Sequence, residues 1–298
     1  MGTLVIRKYP TKLFLKAADH TYVECGTGAK GWGCWGGKTG GDFLRSAPGS
    51  TLRADAVAEP DGKAGITCYL VNGVCHQAAN RIVNQSGITV DGARGYSLSV
   101  ALFGVLGRES ALFGLCKAPF HRHPEVDGDL PECIEDVGGR GKEDATASSN
   151  LGRHDFEDRG YMAAVQALYE RAGENAVDDP ERLFEREMAH FRLLVEHKFG
   201  SRDALAASDH DQLMEARARF ERRRLEAERE LALYRNGMAF ANTFDQLTLQ
   251  FQDDVARALD GQSYSTLLDL SPDERIVLSD PDIERSYGSN AGPEGAAT

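Results

Sequence analysis

Tyr69-Leu70-Val71-Asn72-Gly73-Val74-Cys75-His76-Gln77-Ala78-Ala79-Asn80-Arg81-Ile82 falls into three parts. Residues 66–71 read as a buried strand, Asn72-Gly73 as a tight break, and residues 75–83 as a helix that opens at the cysteine. A cysteine in the first turn of a helix lies beside backbone N–H groups that have no intrahelical acceptor, at the positive end of the helix dipole. Both favour the thiolate, the nucleophilic form of the side chain. A thiolate that attacks a carbonyl also needs a base and a partner for the oxyanion. The reading of the fold therefore turns on what the rest of the chain can bring to Cys75.

Upstream, residues 3–9, 12–16 and 18–25 are short, alternating and β-rich, the start of an antiparallel sheet. On the third segment His20, Tyr22 and Glu24 share one face, and Thr21, Val23 and Cys25 the other. Residues 26–41 are glycine-rich and carry Trp32 and Trp35, suited equally to lining a cleft or filling a core. Gly37-Lys38-Thr39 matches the second half of the phosphate-cradling G-x-x-x-x-G-K-[ST] loop, but Trp32 stands where its first glycine belongs. A loop or bulged edge strand is the reading, with no nucleotide or other cofactor expected. Residues 42–63 read as polar, turn-rich surface, and residues 95–106 as an apolar segment suited to a helix or a strand.

Downstream, residues 118–159 are rich in proline, glycine and polar side chains and read as a mobile insertion or linker. His121-Arg122-His123 with Glu125, Asp127 and Asp129 has metal-ligand residue types. The arginine between the histidines favours a solvated loop, so no metal is expected. From residue 156 the pattern is helical. Phe184, Met188, Phe191 and Val195 form a stripe, Gly200 stops that helix, and Ser208-Asp209 suit the cap of the next. Leu213, Phe220, Ala227 and Tyr234 recur every seven residues, while Arg217, Arg219, Arg222, Arg223, Arg224, Glu226, Glu228 and Glu230 read as solvated flanks. Residues 242–259 make a further amphipathic helix, residues 275–278 a last strand, and residues 289–298 a disordered tail.

Composition narrows the function classes. The 298 residues are 41% hydrophobic and carry a net charge of -12. That balance argues against nucleic acid and against anionic lipid as partners. No apolar run approaches the ~20 residues that span a bilayer, and the N-terminus lacks the pattern of a signal peptide. The expected location is the cytoplasm. The six cysteines do not read as a disulfide framework, and without C-x-x-C spacing they do not suggest structural zinc. Cysteines other than Cys75 read as packing residues.

His20 on a strand, then further sheet, then Cys75 at a helix N-terminus resembles the circularly permuted branch of the papain-like Cys/His superfamily, which includes NlpC-related amidases and lecithin–retinol acyltransferase-like proteins. Asp19-His20-Thr21-Tyr22-Val23-Glu24 looks like its His strand, and Val71-Asn72-Gly73-Val74-Cys75-His76-Gln77-Ala78-Ala79-Asn80 like its Cys helix. The resemblance covers roughly residues 4–106. It implies Cys75 as nucleophile and His20 as its base, with the Cys75 backbone N–H and a polar side chain such as Asn72 holding the oxyanion. The family orients its imidazole from the strand after the His strand. Here that strand would fall in residues 31–37, which hold no such residue; Glu24 and Asp42 are the nearest alternatives.

The expected architecture is α+β: a small antiparallel sheet packed on a Cys-bearing helix, followed by a helical hairpin or bundle. Its parts are a papain-like catalytic portion (1–117), the insertion (118–159), a helical region (160–288) and the tail (289–298). The expected activity is that of a thiol hydrolase cleaving an amide in a small peptide or acyl-amide. The alternatives are an acyltransferase using the same thioester, or a non-enzymatic interaction protein working through the C-terminal helices. Those helices also offer a route to homo-oligomers.

Overall fold

The computed structural model describes residues 2–10, 18–33, 40–64, 68–110, 158–172, 179–200 and 205–280. The strands β1 (Gly2–Pro10), β2 (Asp19–Cys25), β3 (Gly31–Trp32) and β4 (Asp42–Gly49) form one antiparallel sheet in the order β3-β2-β1-β4. Alternation directs Leu4 and Ile6 of β1 into the core. Strand β2 is buried along nearly its whole length, because it has a neighbour on each side and a helix across it. The helices are α1 (Thr51–Ala64), α2 (Cys75–Val83), α3 (Tyr96–Phe103), α4 (Arg159–Ala172), α5 (Pro180–Phe199), α6 (Ala207–Tyr234), α7 (Gly237–Ala258) and α8 (Gly261–Leu268). The chain is thus α+β, with α2 lying against β2 and touching α1 and α3. One hydrophobic cluster runs from Leu4 and Ile6 through Leu98 and Phe103 of α3 to Phe191, Phe220, Phe244, Phe251 and Ile276, so sheet and helices share a core.

Several local expectations change. Residues 42–63 are not turn-rich surface: β4 completes the sheet on β1, and α1 follows it with Ala54 buried. Tertiary pairing overrides a polar sequence there. Within the described part of residues 66–71 there is no strand but a buried turn, closed by Asn72 N–H to the Cys68 carbonyl (2.9 Å) and Leu70 N–H to that of Gly73 (2.9 Å). Residues 95–106 contain the buried helix α3. Helix α5 is capped by Asp179, which accepts from the N–H groups of Glu181 and Arg182, and it ends on the left-handed Gly200. Helix α6 instead starts one residue before Ser208, with Ala206 as its N-cap and no side-chain cap. Residues 275–278 form an extended strap rather than a strand. The histidine pair at 121 and 123, most of the insertion, and the tail lie outside the described residues.

The largest departure is on α6. Arg217, Glu221, Arg224 and Glu228 follow one another at helical spacing, and all four are fully or almost fully buried, not solvated. Arg108, 0% exposed, comes down onto them from the segment after α3. Its Nη1 lies 2.6 Å from Glu228 Oε1 and its Nη2 3.2 Å from Glu221 Oε1. Arg217 bonds Glu221 at 2.7 Å and Arg224 bonds Glu228 at 3.0 Å. Arg224 also donates to the backbone carbonyls of Leu102 (2.9 Å) and Val71 (3.2 Å), tying α6 to the end of α3 and to the turn before Cys75. Removing one member strands its partner's charge in the core. Arg224→Met should therefore lower unfolding free energy by about 3–5 kcal/mol in urea titrations. Arg223→Ala, at a side chain 68% exposed, should leave it nearly unchanged.

Candidate functional site

The path to Cys75 is built from backbone strain and buried polar bonds. Leu70, fully buried, adopts φ 64°, a left-handed conformation costly for a branched side chain. The core that holds its side chain imposes it, and the chain then turns through Gly73 at φ 149°. A Cβ at Gly73 would meet the Gln77 side chain at 2.8 Å. Val74 is the N-cap residue in extended conformation, and its N–H donates to Gln77 Oε1 at 3.1 Å. Gln77 Nε2 in turn donates to Ser99 Oγ and to the Gly104 carbonyl. Helix α2 therefore begins at Cys75; the Gln77 N–H already bonds the Val74 carbonyl at 3.1 Å, and the Cys75 and His76 N–H groups ahead of it have no acceptor inside the helix.

His20 stands opposite on β2. Its ring stacks on that of Tyr9, its partner across the β1–β2 pairing, with centroids 4.8 Å apart. Its Nδ1 lies 3.1 Å from Asp280 Oδ2, and the Cys75 sulfur is near enough to act on the charge of the ring. Cysteine, histidine and aspartate are gathered here at 5%, 0% and 5% exposure. Burial works first against a charged ring. The Cys75 sulfur beside it and then the Asp280 hydrogen bond outweigh burial, and together they raise His20 from 6.5 to about 10. The sulfur and the carboxylate thus both favour the protonated form of the ring. The Cys75 sulfur also lies 3.7 Å from the Asp19 carbonyl, an acceptor for its S–H when the thiol is protonated.

Of the residues singled out from sequence, the structure brings Cys75 and His20 together. Glu24 is held by Arg7 on β1, at 2.7 Å, and Asp42 is exposed on β4, at the far side of β1 from β2. The carboxylate at the imidazole is that of Asp280, a partner 260 residues away in sequence. Asn72 is buried with its Nδ2 donating to the Arg108 carbonyl at 2.8 Å, while the Arg108 N–H returns a bond to the Asn72 carbonyl at 2.9 Å. Its amide braces the turn instead of facing an oxyanion. Gly107 permits that close approach: at φ 93°, a Cβ there would lie 2.5 Å from the Asn72 carbonyl oxygen. His76 points away from the imidazole, with Nε2 2.9 Å from the Asp19 carbonyl and Nδ1 3.0 Å from Ser99 Oγ. Cys25 and Cys75 are free thiols among the described residues, whereas Cys68 is disulfide-bonded.

Among the described residues no group of three or more His, Cys, Asp or Glu could hold a metal ion, and no helix is long and apolar enough to cross a membrane. A surface cleft of about 740 Å³ between α5 and α6, lined by Phe184, Met188 and Met214 among others, includes none of the three site residues. No signal short of the fold points to Asp280.

The chain matches no family model, no curated protein and no solved structure.

Burial also acts on two histidines outside the site. Burial lowers His76 to about 4, against the bond to the Asp19 carbonyl, and lowers His190 to about 3. Each binds its proton more weakly folded than unfolded, so stability present above pH 6.5 is lost as pH falls toward those values. Unfolding free energy should drop between pH 6.5 and pH 4, and His76→Asn should flatten that slope when denaturation midpoints are followed against pH.

Proposed function

We propose that Cys75, His20 and Asp280 form a thiol centre for acyl transfer, and that the protein hydrolyses an amide bond in a small peptide or acyl-amide. The observation that carries this reading is the imidazole of His20 held between the Cys75 sulfur and the Asp280 carboxylate. The order of the chain supports the resemblance to the permuted papain-like enzymes: His strand first, Cys helix later, the helix packed on that strand.

In the mechanism, His20 in its imidazolium form pairs with the Cys75 thiolate. The sulfur attacks the carbonyl carbon, and the oxygen that gains charge is met by the backbone N–H of Cys75 at the start of α2. As the tetrahedral species collapses, the C–N bond breaks and His20 delivers its proton to the leaving amine. The neutral ring then takes a proton from water, the hydroxide attacks the thioester, and the acid leaves with the thiolate restored. Asp280 keeps Nδ1 bonded throughout, so the other ring nitrogen is the one that exchanges protons with sulfur, amine and water. An amine in place of water would make the same thioester an acyltransferase intermediate.

Incubation with the activated ester p-nitrophenyl acetate, followed by peptide mapping, tests the reading. Acetyl is expected on Cys75, absent in Cys75→Ala, and formed about 10²–10⁴-fold more slowly in His20→Gln and Asp280→Asn. Acetylation of Cys25 in preference, or an unchanged rate in His20→Gln, would refute it.

A further inference from the structure

Asp280 arrives at the site on the strap formed by residues 276–280, and the backbone of that strap is bonded from three directions. Gln252 of α7 reads both backbone groups of Ile276: its Oε1 accepts the Ile276 N–H at 3.0 Å and its Nε2 donates to the Ile276 carbonyl at 2.7 Å. A single side-chain amide thereby stands in for a neighbouring strand. The Ala18 N–H donates to the Val277 carbonyl at 3.1 Å, two residues before His20. The Tyr69 hydroxyl donates to the Leu278 carbonyl at 3.0 Å, six residues before Cys75. Ser279 donates through both its N–H and its hydroxyl to Asp245 of α7. Gln252 is fully buried and Ile276 is 0% exposed, so the bonds between them do not compete with water, while Ser279, 3% exposed, meets a half-buried Asp245.

We infer that Gln252 and Asp245 are positioning residues for the thiol centre, acting through the strap to hold the Asp280 carboxylate against His20. Resting on the proposed reading, this gives the helical half a part in the chemistry. The two residues lie seven positions apart on α7, on the side facing the strap, and together they grip it at both ends. A strap held at only one end would leave the Asp280 carboxylate free to swing. A hydrogen bond to an imidazole is lost over displacements of about 1 Å. Ala18 and Tyr69 connect the same strap to the starts of the His strand and the Cys helix, so its register sets where all three groups meet.

The test is the pH dependence of Cys75 alkylation by iodoacetamide, in which the sulfur displaces iodide, with the adduct mapped by mass spectrometry. An ordinary thiol loses about tenfold in rate per pH unit below its pKa of about 8.5. The wild-type protein should keep Cys75 reactive at pH 5.5, as a thiolate paired with imidazolium does. Gln252→Met and Asp245→Ala should lower the pH 5.5 rate about 10–100-fold, with rates converging on wild type near pH 9. In an Asp280→Asn background neither substitution should change the profile further, because the carboxylate through which they act is gone. Should Gln252→Met fail to fold, Ser279→Ala, which removes only the hydroxyl facing Asp245, takes its place in the comparison. A strap variant that melts earlier yet keeps the wild-type pH profile would overturn the inference, as would an equal loss in the Asp280→Asn background. A wild-type protein whose Cys75 shows ordinary thiol reactivity would instead sink the thiol reading itself.

Discussion

A buried imidazole can hold a proton only where the protein supplies counter-charges, and His20 is placed for that. Fully buried on β2, it is favoured in its protonated form by the sulfur and the carboxylate beside it. The cost of desolvating all three groups is large, and only their mutual attraction and hydrogen bonds offset it. That requirement explains why three distant pieces of chain converge with so little freedom. Strand β2 is placed by its neighbours in the sheet, α2 starts where a strained turn and a capping glutamine oblige it to, and the strap comes back beneath both.

The helical half is bound into this arrangement at two separate points. On α6, Arg224 and Glu228 meet Arg108, and from there bonds run to the carbonyls of Val71 and Leu102 and to Asn72. The turn that delivers Cys75 is therefore braced from behind by a buried ionic cluster. On α7, Gln252 and Asp245 hold the strap that delivers Asp280. Both supports are polar and buried, and polar bonds of that kind specify position more sharply than apolar contacts can. Between them the shared hydrophobic core supplies the bulk of the cohesion without fixing register.

Much of the local structure was legible because it depends on neighbours in sequence. Alternation on residues 18–25 marks a strand, the glycine break and the following apolar spacing mark α2, and Gly200 marks the end of α5. The same rules misjudged residues 42–63, whose polar side chains find a sheet edge, and the cluster on α6. Arginine and glutamate four residues apart look alike on a solvated face and on a buried one. What separates them is Arg108, which reaches them from the segment after α3.

Sequence alone therefore determined the class of the fold, a His-bearing strand, and a helix that begins at a cysteine, because each follows from periodicity, caps and breaks within a few residues. Tertiary structure decided that His20 faces Cys75, that Asp280 and not Glu24 lies at the imidazole, and that Asn72 braces a turn. These outcomes depend on which surfaces pack together and on where a returning chain can satisfy its backbone. A carboxylate 260 residues from its imidazole has no local pattern to announce it; only the closing of the core brings the two within a hydrogen bond.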